Sequence, residues 1–197
     1  MLDETQNPWK LISTRKIYDN SWIGVREDAV VQPDGERGIY GVVHFKNIAI
    51  GVLALEDEFI YLVGQYRYPL ERYSWEIPEG GCAEGEDPLD AARRELEEET
   101  GLRANNWCKL GEAHLSNSVS DELAVWYVAT DLVQGERHPE GTEQLEVRRI
   151  SFNDAYRMAM RGEIRDAISL LAIMQYQLSR DNSPEFAAQD LALKETR

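Results

Sequence analysis

The spacing of hydrophobic and polar positions divides the chain into a strand-rich first third and a later part in which helices and strands mix. Short runs rich in Ile, Val, Tyr and Trp, separated by turn sequences such as Pro33-Asp34-Gly35, are typical of β-strands. This pattern predicts strands over 10–18, 22–31, 38–45, 48–55 and 59–67, and again over 107–115, 123–131 and 145–150.

One helix has clear signals at both ends. Asp87 precedes Pro88, and this order suits a helix start because Asp caps free backbone amides and Pro is tolerated at the first helical position. Gly101 stands where a left-handed C-terminal cap belongs. We therefore predict a helix over 88–100, preceded by a glycine-bearing loop over 79–81.

Two further helices are expected near the C-terminus. Ser151 opens one that reaches about residue 160, and the other covers about 166–178. The second carries an expected apolar side formed by Leu170, Leu171, Met174 and Leu178. From Ser179 onward the pattern fades, which indicates a weakly ordered tail.

Charge and cysteine content exclude several classes of function. The chain has 36 acidic residues against 21 Lys and Arg, a formal net charge of −15, which disfavours binding to nucleic acid or to an anionic membrane. Its two cysteines, Cys82 and Cys108, are too few for a disulfide scaffold. The N-terminus lacks a secretory pattern, and no segment has the length of a membrane span. We expect a cytoplasmic protein with reduced thiols.

The negative charge is concentrated on the predicted helix over 88–100. Between Glu76 and Glu99 there are ten acids and two bases, a net charge of −8. Glu95, Glu98 and Glu99 follow the i, i+3, i+4 spacing, so they project from one helical face. Convergent carboxylates suit Mg²⁺ or Mn²⁺. A solvated helix with Arg–Glu pairs is the alternative.

The stretch GGCAEGEDPLDAARRELEEETGL, which begins at Gly80, resembles the complete box motif of the Nudix hydrolases. The resemblance implies an α/β (α+β) fold, an α/β/α sandwich with a mixed central sheet. It also implies a substrate in which a nucleoside diphosphate is linked to another group, and glycines that let the backbone approach a metal-bound phosphate. Mg²⁺, with Mn²⁺ as a possible substitute, would be held by the side chains of Glu95, Glu98 and Glu99 and by the carbonyl group of Glu79.

The segments 65–68, 75–81 and 162–166 are similar to the branch of that family that hydrolyses ADP-ribose and other nucleoside diphosphate sugars. In this branch, N-terminal strands exchange between two subunits, so the resemblance implies a homodimer. The implied organisation is an antiparallel strand extension over 1–46 that makes dimer contacts, a catalytic domain over 47–180 and a weakly ordered tail over 181–197.

The same resemblance suggests roles for individual residues, each with a structural alternative. Arg67 is expected to clamp phosphate, with an ordinary salt bridge as the alternative. Trp22 is expected to stack on the base, with packing in the core as the alternative. Glu76 is expected to reach the ribose or the base, or else to pair with Arg67. Arg94 and Glu86 are expected to orient the ligands, and Glu98 and Arg94 join the expected catalytic group.

A general base is expected from the acidic loop over 139–146. Glu143 aligns best with the functional Glu of the family and Glu140 is next, whereas a solvated loop acid is the alternative.

One position departs from the pattern of the branch. Asn117 stands where dedicated ADP-ribose hydrolases carry Pro, which favours a broader or different preference such as GDP-mannose. The predicted reaction is Mg²⁺-dependent hydrolysis of the pyrophosphate bond by metal-activated water, giving a nucleoside monophosphate and a sugar phosphate. Alternatives are hydrolysis of nucleoside triphosphates or dinucleoside polyphosphates, and a non-catalytic sensor of nucleotide sugars.

Overall fold

The N-terminal part of the chain forms an antiparallel sheet. The structure, a computed structural model, describes residues 6–135 and 145–182. Strands β1 (Lys10–Asp19), β2 (Ile23–Val31) and β3 (Arg37–Phe45) pair in the order β1-β2-β3. The turn between β2 and β3 contains Gly35, whose φ of 91° lies in the left-handed region that glycine tolerates best. All ten residues of β1 are exposed.

A segment from later in the chain joins this sheet. Residues His114–Leu123 cluster with residues 1–47 as one structural unit. Val43 N–H donates to the carbonyl group of Val119 at 2.8 Å, and the Tyr40 hydroxyl donates to the carbonyl group of Ser118 at 2.6 Å. These bonds fix the loop around Asn117 against β3.

The other described residues form a second unit with a mixed sheet and three helices. Its elements in chain order are β4 (Ile48–Glu56), β5 (Phe59–Arg67), a 3₁₀ turn (Tyr68–Leu70), β6 (Arg72–Glu76), β7 (Glu79–Cys82), α1 (Pro88–Thr100), β8 (Leu102–His114), β9 (Leu123–Gln134), β10 (Glu146–Ser151), α2 (Phe152–Met160) and α3 (Ala167–Asn182).

Strand β4 is the centre of the second unit. The sheet has the order β10-β5-β4-β9-β8, with β6 added to β5 and β7 added to β4. Strands β4 and β9 run parallel, whereas β4 pairs antiparallel with β5 and β7. Consecutive residues of β4 are buried, so both of its faces are covered, and both α1 and α3 pack against it. The predicted α+β sandwich with a mixed sheet is confirmed.

Three expectations about single elements are wrong. Residues 79–81 belong to strand β7 rather than to a loop, because Gly80 and Gly81 pair with β4. Strand β8 begins at Leu102, five residues before the predicted strand. Helix α3 continues to Asn182, so the described part of the expected tail after Ser179 is helical.

The buried side of α3 also differs from the predicted one. Ile168, Ala172 and Ile173 are buried, whereas Leu171, Met174 and Leu178 are exposed. Within the described ranges, no helix combines the length and the apolar character that crossing a bilayer requires.

Candidate functional site

Helix α1 forms as its end signals predict. The Asp87 side chain accepts hydrogen bonds from the backbone amides of Leu89 and Asp90, and Gly101 closes the helix with a φ of 72°. Leu96 is fully buried and packs the helix onto the sheet. The helix is thereby fixed with its acidic face along β7, which α1 contacts.

Arg94 is the centre of the acidic face. Its guanidinium donates to the carboxylates of Glu86 at 3.1 Å, Glu95 at 2.7 Å and Glu98 at 3.1 Å, and to the carbonyl oxygen of Gly81 at 2.8 Å. The hydrogen bond to Glu86, with those to the other acids, raises the pKa of Arg94. Burial raises the pKa of Glu95, although Arg94 opposes this effect. Arg94 therefore links Glu86 to Glu95 and Glu98, and the role of Arg94 and Glu86 in orienting metal ligands stays a prediction.

Strand β7 holds two of the box carboxylates through its backbone. The amide of Gly81 donates to Glu95 Oε1 at 3.1 Å, and the amide of Glu79 donates to Glu99 Oε2 at 3.0 Å. Glu99 is only 2% exposed. A Cβ atom at Gly80 would lie under 3.0 Å from the Glu95 carboxyl group. Gly80 therefore makes room for the carboxylate of Glu95. From the sequence, we expected the glycines only to let the backbone approach a metal-bound phosphate.

A second group of charges lies at the ends of β5, β6 and β7. Arg67 Nη2 is 2.6 Å from Glu76 Oε2 and 2.6 Å from Glu79 Oε1, and Arg67 Nε also donates to both oxygens of Glu76. Burial alone would lower the pKa of Arg67, but its bonds to Glu76 and Glu79 hold that pKa above its ordinary value. The Arg67–Glu76 salt bridge is present in the structure, and the phosphate clamp by Arg67 stays a prediction.

Burial affects the two glutamates of this group differently. It would raise the pKa of Glu76, but Arg67 holds that pKa below its usual value. Burial raises the pKa of Glu79 well above its usual value, and the negative charges of Asp166 and Glu76 raise it further. Ionised Glu79 is thus the less favourable charge of the two.

Asp166 belongs to the same group and was not predicted as a site residue. Carboxylate oxygens of Glu76, Glu79 and Asp166 lie within 4.8 Å of one another. Asp166 directly precedes α3, and its Oδ2 accepts from the amide of Ser169 at 2.7 Å. Ser169 Oγ in turn accepts from the amide of Ile77 at 2.9 Å. The local sequence signals a helix cap, and only the tertiary contact brings Asp166 to Glu79.

Comparison with known proteins identifies the domain that carries these carboxylates. Residues 45–171 match the family model described as the NUDIX domain. The chain belongs to the Nudix hydrolase family. Residues 9–43, outside the Nudix domain, match the model of the nucleoside diphosphate sugar hydrolase N-terminal domain.

Two relatives of this Nudix protein match it over most of their length. The ADP-ribose pyrophosphatase of Bacillus subtilis (strain 168) is 34% identical over 172 residues, which are 86% of this chain and 92% of the relative. The methanol dehydrogenase activator of Bacillus methanolicus is 31% identical over 172 residues, with the same coverage of 86% and 92%.

A solved structure shows the same fold. The crystal structure of an ADP compounds hydrolase aligns with a TM-score of 0.81 and covers 91% of this chain and 97% of its own. Because the sequence identity is 19%, this likeness concerns the Nudix fold alone.

Several predicted site residues lie outside the two clusters of the Nudix domain. Trp22 belongs to the N-terminal unit and is 68% exposed, so the alternative that it packs in the core is wrong. Its stacking on a base stays a prediction. Asn117 belongs to the same unit. Glu143 and Glu140 lie outside the described residues, and the general base stays a prediction.

Proposed function

We propose that this Nudix protein hydrolyses the pyrophosphate bond of nucleoside diphosphate sugars of the ADP-ribose or GDP-mannose type. The observation that carries the proposal is the set of box carboxylates ordered around Arg94 on α1. The match of residues 9–43 to the nucleoside diphosphate sugar hydrolase N-terminal domain supports this substrate class, as does the likeness to an ADP-ribose pyrophosphatase. The products are a nucleoside monophosphate and a sugar phosphate.

The expected cofactor is Mg²⁺, with Mn²⁺ as a substitute. Glu95, Glu98 and Glu99 offer hard oxygen donors, and their three negative charges exceed the single positive charge of Arg94, so the donor set fits a divalent cation. The Glu79 carbonyl is the proposed fourth ligand. When bound, such a cation would supply Lewis-acid polarisation of the pyrophosphate group and would lower the pKa of a coordinated water.

The residues of the chain contribute binding, orientation and proton transfer. Arg94 holds Glu95 and Glu98 in place by hydrogen bonds, which preorganises them for ligand binding. Arg67 presents a guanidinium that suits phosphate oxygens, and Trp22 presents an exposed indole that suits a base. Glu143, or Glu140 in its place, is proposed to take a proton from the attacking water.

We also propose that the N-terminal strands, residues 1–46, mediate a homodimer next to a catalytic domain over 47–180. Every residue of β1 is exposed, including Leu11 at 64% and Tyr18 at 53%. Exposed apolar side chains on a long uncovered strand, here Leu11, Ile12, Ile17 and Tyr18, are typical of an interaction surface. We also propose a cytoplasmic location, since the chain has only two cysteines, too few for the disulfide scaffold of a secreted protein.

Light scattering after gel filtration tests the dimer. Leu11→Asp is expected to shift the molar mass to that of one chain, whereas Met160→Asp is the control because Met160 is equally exposed (61%) in the second unit. A wild-type protein that is monomeric at all concentrations would contradict the dimer.

A substrate panel tests the activity. The purified protein is incubated with ADP-ribose, GDP-mannose, dGTP and a dinucleoside polyphosphate, with Mg²⁺ or with EDTA, and the products are identified by mass spectrometry. We expect a nucleoside monophosphate from the nucleotide sugars in Mg²⁺ and no turnover in EDTA. Preferred turnover of dGTP would favour the triphosphatase alternative, and tight binding without products would favour the sensor.

A matched pair of variants tests the metal ligands. Glu98→Gln is expected to reduce kcat by more than about 100-fold, since a metal ligand is lost. Glu97→Gln is the control because Glu97 is the neighbouring acid on α1 and pairs with Arg103 at 2.6 Å. Wild-type turnover by Glu98→Gln would overturn the assignment of this residue.

A further inference from the structure

A group of carboxylates outside the box helix has the form of a second cation site. It consists of Glu76 at the end of β6, Glu79 at the start of β7 and Asp166 before α3. One oxygen from each residue lies within 4.8 Å of the others. None of these side chains belongs to the box carboxylates on α1.

A buried oxygen of Glu79 without a hydrogen-bond partner is suited to bind a cation. The Glu79 side chain is only 10% exposed, and its Oε1 is bound by Arg67. Its Oε2 is buried and has no hydrogen-bond partner. Among the buried side-chain nitrogen and oxygen atoms of residues 6–135 and 145–182, it is the one without such a partner. A buried carboxylate oxygen without a hydrogen-bond partner is costly, so a bound cation would stabilise Oε2 of Glu79.

The charge of the group also calls for a cation. The group carries three negative charges when Glu76, Glu79 and Asp166 are ionised. Arg67, which forms salt bridges to Glu76 and Glu79, compensates one of them. Two negative charges remain in a mostly buried place. A single divalent cation would neutralise them, and carboxylates without compensation are disfavoured in such surroundings.

We propose that Glu76, Glu79 and Asp166 bind a hard divalent cation at a site separate from the box carboxylates. Calcium takes oxygen ligands at about 2.3–2.6 Å, so two opposed ligands stand roughly 4.6–5.2 Å apart, and Mg²⁺ or Mn²⁺ requires a slightly closer approach. The three carboxylate oxygens lie within 4.8 Å of one another, which is close enough for them to share one such ion. Water can complete the coordination because Asp166 is only partly buried.

The proposed cation would connect three segments, the end of β6, the start of β7 and the start of α3. The bond from the Ile77 amide to Ser169 already holds the start of α3 near the β6–β7 connection. A shared cation would add a direct link from Asp166 to Glu76 and Glu79. Because Arg67 binds the same two glutamates, occupancy of the site would also affect how firmly this guanidinium is held.

Counting bound Mn²⁺ ions tests the site. Metal-free full-length protein is titrated with Mn²⁺, and free Mn²⁺ is followed by electron paramagnetic resonance. Asp166→Asn and Glu79→Gln are each expected to bind one ion fewer per chain than the wild type. Asn also caps helices well, so Asp166→Asn should keep the bond to Ser169 that starts α3.

A control and a second background make the result decisive. Asp154→Asn removes an acid from the first turn of α2 and is expected to bind as many ions as the wild type. In a Glu98→Gln background, Asp166→Asn is expected to remove one ion again, which separates this site from the box.

Equal ion counts in wild type, Asp166→Asn and Glu79→Gln would overturn the proposal and would indicate that a proton occupies Glu79 instead. An equal loss in Asp154→Asn would overturn it as well. Neither outcome depends on which substrate the protein hydrolyses.

Discussion

Replacing Gly80 by Ala should lower the catalytic rate strongly and lower the stability of the fold only slightly. The backbone of Gly80 lies outside the left-handed region, so Ala can adopt its conformation. The added methyl group would, however, lie under 3.0 Å from the Glu95 carboxyl group. Glu95 is the flexible partner, so we expect its carboxylate to move while strand β7 stays in place.

The expected magnitudes follow from this displacement. Non-bonded carbon atoms rest about 3.5–4.0 Å apart, so the Glu95 carboxyl group must retreat by roughly 1.5 Å. A misplacement of about 1 Å can lower a catalysed rate by about 100-fold, or about 2.7 kcal/mol in activation free energy. Loss of the bond from the Gly81 amide costs roughly 1.5 kcal/mol of stability. For a chain of this length the melting temperature should fall by only about 3–6 °C.

The assay compares kcat and thermal unfolding for Gly80→Ala and a control. Gly41→Ala serves as the control because a Cβ at Gly41 meets nothing within 4 Å. We expect Gly80→Ala to lose about 100-fold in kcat at saturating Mg²⁺ while Gly41→Ala keeps wild-type values. Wild-type kcat in Gly80→Ala would refute the role of Glu95, and unfolding at room temperature would refute the assumption that Glu95 is the partner that moves.

Three further predictions concern binding, acid stability and the core. Arg67→Lys should raise KM by about 10-fold or more, since Lys lacks the fork that fits phosphate, and unchanged KM in steady-state assays would contradict the clamp. The Thr14 hydroxyl lowers the pKa of Asp28, so the ionised carboxylate stabilises the fold above about pH 4 and this contribution disappears as pH falls through the lowered pKa. Urea unfolding at successive pH values should therefore show a flatter acid limb for Asp28→Asn than for the wild type, and parallel limbs would contradict the shift. Leu53→Ala should cost about 2–5 kcal/mol in unfolding free energy because Leu53 is fully buried, whereas exposed Leu70→Ala should cost under about 0.5 kcal/mol; similar losses would contradict the burial.

Helix α1 could be predicted from sequence because its determinants are local. The Asp87 cap, the buried Leu96 and the left-handed Gly101 act within a few residues of one another, and each was found as expected. Helix geometry alone likewise places Glu95, Glu98 and Glu99 on one face, because they stand at positions i, i+3 and i+4.

Strand β7 and Asp166 could not be predicted because their determinants are not local. Glycine has little tendency to form strands, and Gly80 is extended because β4 and the Glu95 carboxylate border it. Asp166 has the local pattern of a helix cap, so its approach to Glu79 depends on how α3 packs. For Arg67, the sequence offered a phosphate clamp and a salt bridge, and only the structure brought Glu76 and Glu79 to its guanidinium.

The parallel pairing of β4 with β9 has a consequence for the kinetics of folding. Ala49 and Ala124, which are partners in this pair, lie 75 residues apart in sequence, and α1 lies within the intervening segment. Closing so long a loop is entropically slow, whereas the β1–β2–β3 meander needs only short connections. During refolding from denaturant, the N-terminal meander should form early, and recovery of enzyme activity should follow the slowest spectroscopic phase.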